Sequence, residues 1–314
     1  MEQNKDILDI QAAEANQHKK KKFILCYHSF SATNFKRARM QIRKLADAAD
    51  SPISIAVVPS IGAVPESEAD EFREELEKFV QEGAKVYMCG SSEASTAKGA
   101  AVLKARGLSD VVSQACDISD RLQVAALFDA IEQRSGRLDI LVNNAANQGI
   151  GHGGPLEMNP ECFLDVFKTN VFGGFQVTQM ACNRFFMKQE TRGVVVFLSS
   201  NTAQRAIRRR TAYCASKGAI NSMVRALALD LGPLGIRVNC CAPGYIYTER
   251  WDVLDPKVAA RRRLNCPLRH EAKGRDIANV VAFLASEDSG NMTGEIVTCD
   301  AGCSCQHMPE DVDM

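Results

Sequence analysis

Val194-Val195-Val196-Phe197-Leu198-Ser199-Ser200 and, eleven positions on, Thr211-Ala212-Tyr213-Cys214-Ala215-Ser216-Lys217-Gly218 decide how this chain is read. The first stretch is apolar at five successive positions and then stops on two serines. A run without in–out alternation predicts a strand covered on both faces, as in a parallel sheet. The second stretch opens a helix-patterned segment that continues to Leu231. On that helix Tyr213 and Lys217 stand one turn apart on one face. An ammonium beside a phenol favours the phenolate, which predicts a tyrosine pKa lowered toward the range for proton exchange at neutral pH. Ser200 closes the strand thirteen residues before Tyr213, placed to bring its hydroxyl to the same spot.

The same alternation repeats outward along the chain. Apolar β-branched runs at 53–58, 85–89, 111–116, 138–142, 194–198, 237–242 and 295–299 predict seven strands. Helical spacing predicts helices over 68–82, 121–135, 160–189, 213–231 and 275–286. The expected fold is α/β: a doubly wound, Rossmann-like, mostly parallel seven-stranded sheet. Residues 53–305 form its domain. An N-terminal extension over 1–52 holds a polar tail and a β-α unit (23–27 and 34–49), and 306–314 form a C-terminal tail. In such a sheet, ligands bind beyond the carboxyl ends of the strands. Those ends carry Asp117-Ile118, Asn143-Asn144-Ala145-Ala146, Ser199-Ser200 and Pro243-Gly244. Each pair alone is ordinary cap or turn chemistry; four of them in this order ring one cleft.

Bulk properties narrow the function. The 314 residues are 46% hydrophobic and 24% charged, with no net charge. A neutral chain gives no electrostatic reason to expect nucleic acid or a membrane surface. Residues 1–22 are polar, end in four lysines and lack the apolar centre of a secretion signal, so a cytoplasmic location is expected. The twelve cysteines are scattered, several inside apolar strands, as buried thiols of a reducing compartment are. Cys299, Cys303 and Cys305 lie close together near His307, but without a second ligand pair no metal is expected.

Ser200 followed by Tyr213-x-x-x-Lys217 resembles the catalytic signature of the short-chain dehydrogenase/reductase family, and the resemblance runs from about residue 53 to 303. Asn143-Asn144-Ala145-Ala146 looks like the family's Asn-Asn-Ala-Gly turn, with Ala146 in place of the glycine. Asn170 matches the helix asparagine of its catalytic tetrad. Pro243-Gly244-Tyr245-Ile246-Tyr247-Thr248 matches the segment that passes the nicotinamide, Asp117-Ile118 the pair at the adenine, and Asp300-Ala301-Gly302 the turn after the last strand. The resemblance implies a catalytic set of Asn170, Ser200, Tyr213 and Lys217. It implies cofactor contacts from Ser60, Gly62, Asp117, Ile118, Asn144, Ala145, Tyr213, Lys217, Pro243, Gly244, Ile246 and Thr248. Tyr213 would exchange the proton, Lys217 lower its pKa and bond the ribose, Ser200 hold the substrate oxygen, and Asn170 hold a relay water. The hydride chemistry is the cofactor's.

The chain departs from the family at its first turn. Pro59-Ser60-Ile61-Gly62-Ala63-Val64-Pro65-Glu66-Ser67 keeps one glycine of the expected set. Glu66, Glu68, Asp70, Glu71, Glu74 and Glu75 crowd the start of the following helix against a single Arg73. Acids there stabilise the helix through its dipole and repel a pyrophosphate in the same place. Reduced dinucleotide affinity, or phosphates bound in another way, is the expectation. Taking 23–27 as the first strand does not restore the motif, because the turn at 28–35 has no glycine either. The second strand ends Met88-Cys89-Gly90-Ser91-Ser92, with no acid for the ribose of NAD, which leans the cofactor slightly to NADP.

Arg205, Arg208, Arg209 and Arg210 lie between Ser200 and Tyr213, where they favour an anionic or carrier-linked carbonyl substrate, or else form a solvated loop or a subunit contact. Residues 245–273, with Trp251 and arginines at 261–263, read as a long irregular segment, a substrate lid in the resembled family. His152 is a second candidate for the cleft. Family members pair through the helices near Asn170 and Tyr213, and Phe163, Phe167, Phe172, Phe185 and Phe186 supply apolar surface for a homodimer or homotetramer. The expected activity is hydride transfer between a carbonyl and an alcohol, of the 3-oxoacyl reductase kind. The alternative is a binding or structural subunit with little dinucleotide affinity.

Overall fold

A computed structural model describes residues 53–58, 84–105, 111–247 and 251–307. The extension over 1–52, the turn carrying Ser60 and Gly62, the helix expected over 68–82, and Thr248 lie outside the described residues.

The strands are β1 (Ile53–Val58), β2 (Ala84–Gly90), β3 (Val111–Ala115), β4 (Ile140–Asn143), β5 (Val194–Leu198), β6 (Arg237–Pro243) and β7 (Ile296–Cys299). They form one seven-stranded sheet in the order β3-β2-β1-β4-β5-β6-β7, every pairing parallel. The chain winds one way from β1 to β3 and the other way from β4 to β7. The reversal falls between β1 and β4, whose last residues, Val58 and Asn143, are register partners. In open α/β sheets, ligands bind beyond the strand ends at such a reversal point.

The strand readings follow from burial. Val195, Val196 and Phe197, and likewise Val238, Asn239, Cys240 and Cys241, are buried at consecutive positions, as both-face coverage requires. Helices α1 (Glu93–Ala105), α2 (Arg121–Ser135), α5 (Thr211–Leu231) and α7 (Gly274–Ala285) provide crossovers or cover. Asp120 caps α2, its Oδ1 accepting from the Leu122 amide at 2.8 Å, and Gly136 ends it at φ 63°.

Three elements differ from the sequence reading. α1 was not anticipated: with Ala94, Ala97, Gly99, Ala100 and Ala101 it has too weak an apolar stripe to show a period. The helix expected over 160–189 is composite: α3 (Pro160–Phe167), a π turn (Lys168–Gly173), α4 (Gly174–Ala181) and a second π turn (Cys182–Phe186). Glycines permit this, since a Cβ on Gly173 would come within 2.8 Å of the Ile118 side chain and one on Gly174 within 3.0 Å of Phe197. Residues 245–273 are not irregular throughout. Asp255 caps α6 (Pro256–Leu264), accepting from the Lys257 amide at 2.7 Å, and proline sits at the helix start. The five phenylalanines also divide. Phe185 and Phe186 are buried in the core, Phe185 at 6.0 Å from the Phe128 ring, whereas Phe163, Phe167 and Phe172 are not buried.

Candidate active site

β5 ends at Leu198, and the next three residues build the floor of the cleft. Ser199 Oγ donates to the Lys217 carbonyl at 3.1 Å, fastening the strand end to the first turns of α5. Ser200 Oγ accepts from the Thr202 amide at 3.2 Å, which caps a short 3-10 turn and fixes the hydroxyl. That hydroxyl donates to the Pro243 carbonyl at 3.5 Å and lies near enough to the Tyr213 side chain to favour its phenolate. Lys217 lies beneath, its ammonium 5.5 Å from the Tyr213 ring centroid and donating to the Leu198 carbonyl at 2.8 Å.

The electrostatics correct the expected lowering of the phenol. Burial pushes the Tyr213 pKa up; the nearby Ser200 hydroxyl and the Arg210 charge act the other way without reversing it. Lys217 is 2% exposed, and burial brings its ammonium down to about 8, opposed by the neighbouring Cys240.

Asn170 sits in the first π turn, 3% exposed. Its Oδ1 accepts from the Asn147 amide at 2.6 Å; its Nδ2 donates to the Asn147 carbonyl at 3.0 Å and to Ser216 Oγ at 2.9 Å. Ser216 Oγ in turn donates to the Tyr213 carbonyl at 2.8 Å. The carboxamide thus spends both its hydrogens and one of its two oxygen lone pairs on protein groups. It ties the loop after β4 to the helix that carries Tyr213. Ser216, fully buried between these groups, was missed by the sequence reading. Its signal was a serine inside a helix, where serine has poor propensity.

Beside the sheet reversal, Asn144 Nδ2 is buried with no hydrogen-bond partner among the described residues, and Ala145 packs against the core. An orphaned donor at the β1/β4 reversal fits a polar ligand there. Asp117 Oδ1 accepts from the Ser119 amide at 2.9 Å. Ile118 is buried against Gly173, with its carbonyl bonded by Gln176. On the other side, Gly244 approaches Asp300 so closely that a Cβ would stand 2.8 Å from the Asp300 Cα. Asp300 accepts from Asn201 Nδ2 at 3.1 Å, the Gly302 amide at 3.1 Å and the Ser304 amide at 2.8 Å, bracketing the C-terminal turn to the residue after Ser200.

A sequence model described as Enoyl-(Acyl carrier protein) reductase matches residues 76–304. The chain belongs to the short-chain dehydrogenase/reductase family. It is an oxidoreductase of that family, whose members generally use NAD(P)(H). It is 30% identical over 231 residues to the granaticin polyketide synthase putative ketoacyl reductase 1 of Streptomyces violaceoruber, covering 70% of this chain and 84% of that one. It is 34% identical over 188 residues to the 7alpha-hydroxysteroid dehydrogenase of Escherichia coli strain K12, covering 60% and 72%. The crystal structure of gox2181 superposes with a TM-score of 0.71 at 28% identity, over 85% of this chain and all of that one.

Pro243 closes β6, and Ile246 bridges to Ala272. The arginine cluster does not act as one patch. Arg205 Nη1 donates to the carbonyls of Cys303 at 2.5 Å and Gln306 at 2.8 Å, and Arg210 donates to the Gln148 carbonyl at 2.8 Å. Arg208 and Arg209 remain exposed, with Arg209 3.9 Å from Glu157. Trp251 is not a free lid residue: it is buried, donates to the Ile246 carbonyl at 2.9 Å and meets Tyr245 edge-on, with Arg262 over both rings. His152 Nδ1 is buried without a hydrogen-bond partner among the described residues. Among the described residues, no group of His, Cys, Asp or Glu is arranged to hold a metal ion. No described helix is long and apolar enough to cross a membrane.

Proposed function

We propose that the protein reduces the carbonyl of a 3-oxoacyl-type substrate at the expense of a nicotinamide dinucleotide. Tyr213 donates the proton to the nascent alkoxide. One observation carries this: Ser200 closes the carboxyl edge of β5 beside Tyr213, whose ring stands 5.5 Å from the ammonium of buried Lys217. Ser200 holds the substrate oxygen and stabilises the charge that develops on it. A phenol held above its ordinary value stays protonated at neutral pH, which favours the reducing direction. Asn170 and Ser216 position Tyr213 by fixing the start of α5 to the loop at 147.

The bound cofactor supplies a hydride. Asn144, Ala145, Pro243, Gly244 and Ile246 would line its place, with Lys217 on its ribose and Asp117 at its far end. Ser91 and Ser92, exposed after β2, offer no carboxylate to a 2′-hydroxyl, which favours NADP over NAD. The acyl character of the substrate is supported by the ketoacyl reductase relative. Exposed Arg208 and Arg209 suit a carboxylate, phosphate or carrier surface at the cleft rim. The eleven free thiols among the described residues suit a reducing cytoplasm. A second copy covers the outward apolar face of α3, the first π turn and α4, giving a homodimer or homotetramer.

The altered turn at 59–67 favours a second reading, a family member with little dinucleotide affinity that serves as a binding subunit. Titration with NADPH and NADH, followed by thermal shift, separates the two. Saturable stabilisation, with turnover of a 3-oxoacyl thioester that falls about 10²–10⁴-fold in Tyr213→Phe, supports the enzyme. A flat response at millimolar dinucleotide overturns it. An unchanged KM in the Arg208→Ala/Arg209→Ala double variant removes the anionic rim from the proposal.

A further inference from the structure

Cys266 follows α6 and is buried; Cys303 lies half-buried in the turn after β7. Their side chains lie near enough for each to act on the other's ionisation. The backbones on either side of the pair are joined. The Leu268 amide donates to the Ala301 carbonyl at 3.2 Å, and Gln306 Nε2 donates to the Asn265 carbonyl at 2.5 Å. Gly302 lies so close to Pro267 that a Cβ would reach 2.9 Å from its Cγ. Two segments far apart in sequence are thus held in register around two thiols, both free. The more exposed Cys305 is turned back on its own loop, its Sγ bonded to the Gly302 carbonyl at 3.0 Å.

We propose that Cys266 and Cys303 form a redox-modification site, joined by a peroxide into a reversible disulfide that staples the end of α6 to the C-terminal turn. The Cys303 thiolate attacks one peroxide oxygen; the S–O bond forms, the O–O bond breaks, and hydroxide leaves. Cys303 is then a sulfenic acid. The Cys266 thiolate attacks its sulfur; the S–S bond forms and a second hydroxide leaves. Two thiols and one hydrogen peroxide give one disulfide and two waters, and an external thiol reverses the reaction by exchange. Burial holds both thiols above their ordinary values, with Asp300 adding to this at each and Arg205 opposing it at Cys303. Little thiolate is then present at neutral pH, so the oxidation is slow and needs sustained oxidant. Because Asp300 ties the same turn to Asn201, the staple fixes one wall of the cleft.

The test needs no assay of turnover, so it stands apart from the proposed reaction. The full chain is treated with hydrogen peroxide, alkylated and mapped without reduction. A linked Cys266–Cys303 peptide is expected, with a melting temperature about 5 °C higher that returns to its starting value in dithiothreitol. Cys303→Ser loses both effects and Cys305→Ser keeps both. A Cys303–Cys305 disulfide, oxidation confined to Cys305, or no disulfide at all overturns the proposal. If Cys303→Ser does not fold, Cys266→Ala decides. It must leave a Cys303 sulfenic acid that dimedone captures, and failure of capture rejects the mechanism.

Discussion

A lysine ammonium with 2% exposure, held by one backbone carbonyl, lowers the stability of the fold that contains it. For Lys217 the sign is set by its depression from 10.5 to about 8. Below pH 8 both folded and unfolded chains are protonated and the burial cost is full. Between pH 8 and 10.5 the folded chain has released a proton that the unfolded chain still holds, so stability climbs with pH. Lys217→Met should therefore be more stable than the parent at pH 7, by on the order of 1–2 kcal/mol once the unpaired Leu198 carbonyl is allowed for. The gap should close by about pH 10.5, as read from urea midpoints at the two pH values. A less stable variant at pH 7 would make the lysine structural. The spacing of Ser200, Tyr213 and Lys217 was legible because i, i+4 on a helix fixes direction. The partners of Asn170 were not, since Ser216 and Asn147 meet it only when two crossovers pack together.

Elements made of familiar residues carry less visible geometry. The π turn at Lys168–Gly173 widens the helix where Asn170 must reach sideways, and the glycines beside it admit Ile118 and Phe197. α6 has clear cap chemistry in Asp255-Pro256, but its three arginines hid any apolar stripe. α1 was invisible for the opposite reason, an excess of alanine and glycine. At the β6 end, Gly244 is required by packing against Asp300 rather than by a left-handed backbone. Gly244→Ala should displace the 300–305 turn and cost about 1–3 kcal/mol, measurable as a lowered melting temperature, with turnover falling further than stability alone explains. A wild-type melting curve would show that the turn gives way freely.

At the scale of the whole molecule, the sheet order follows from strands that read as unbroken apolar runs, and its reversal point locates the crevice before any side chain is considered. The outward face is a different matter. Leu164, Phe172 and Phe175 are 64%, 50% and 39% exposed and line one groove with Phe167, Val171 and Met223. Aromatic count alone did not separate these from Phe185 and Phe186, because a thick core and an interface use the same residues. A Phe172→Glu/Phe175→Glu variant should run as a monomer in light scattering while retaining its far-ultraviolet spectrum. An unchanged mass would place the contact elsewhere.

The Asp300 bracket also has a temporal side. During synthesis the residues of β5 and α5 leave the ribosome well before 300–306, so a nascent chain holds its serine, tyrosine and lysine without the clasp that sets Asn201. Competence should then arrive late and abruptly, as the turn emerges and docks. A bulky fusion partner placed immediately after Gln306, whose carbonyl receives Arg205, would delay that docking.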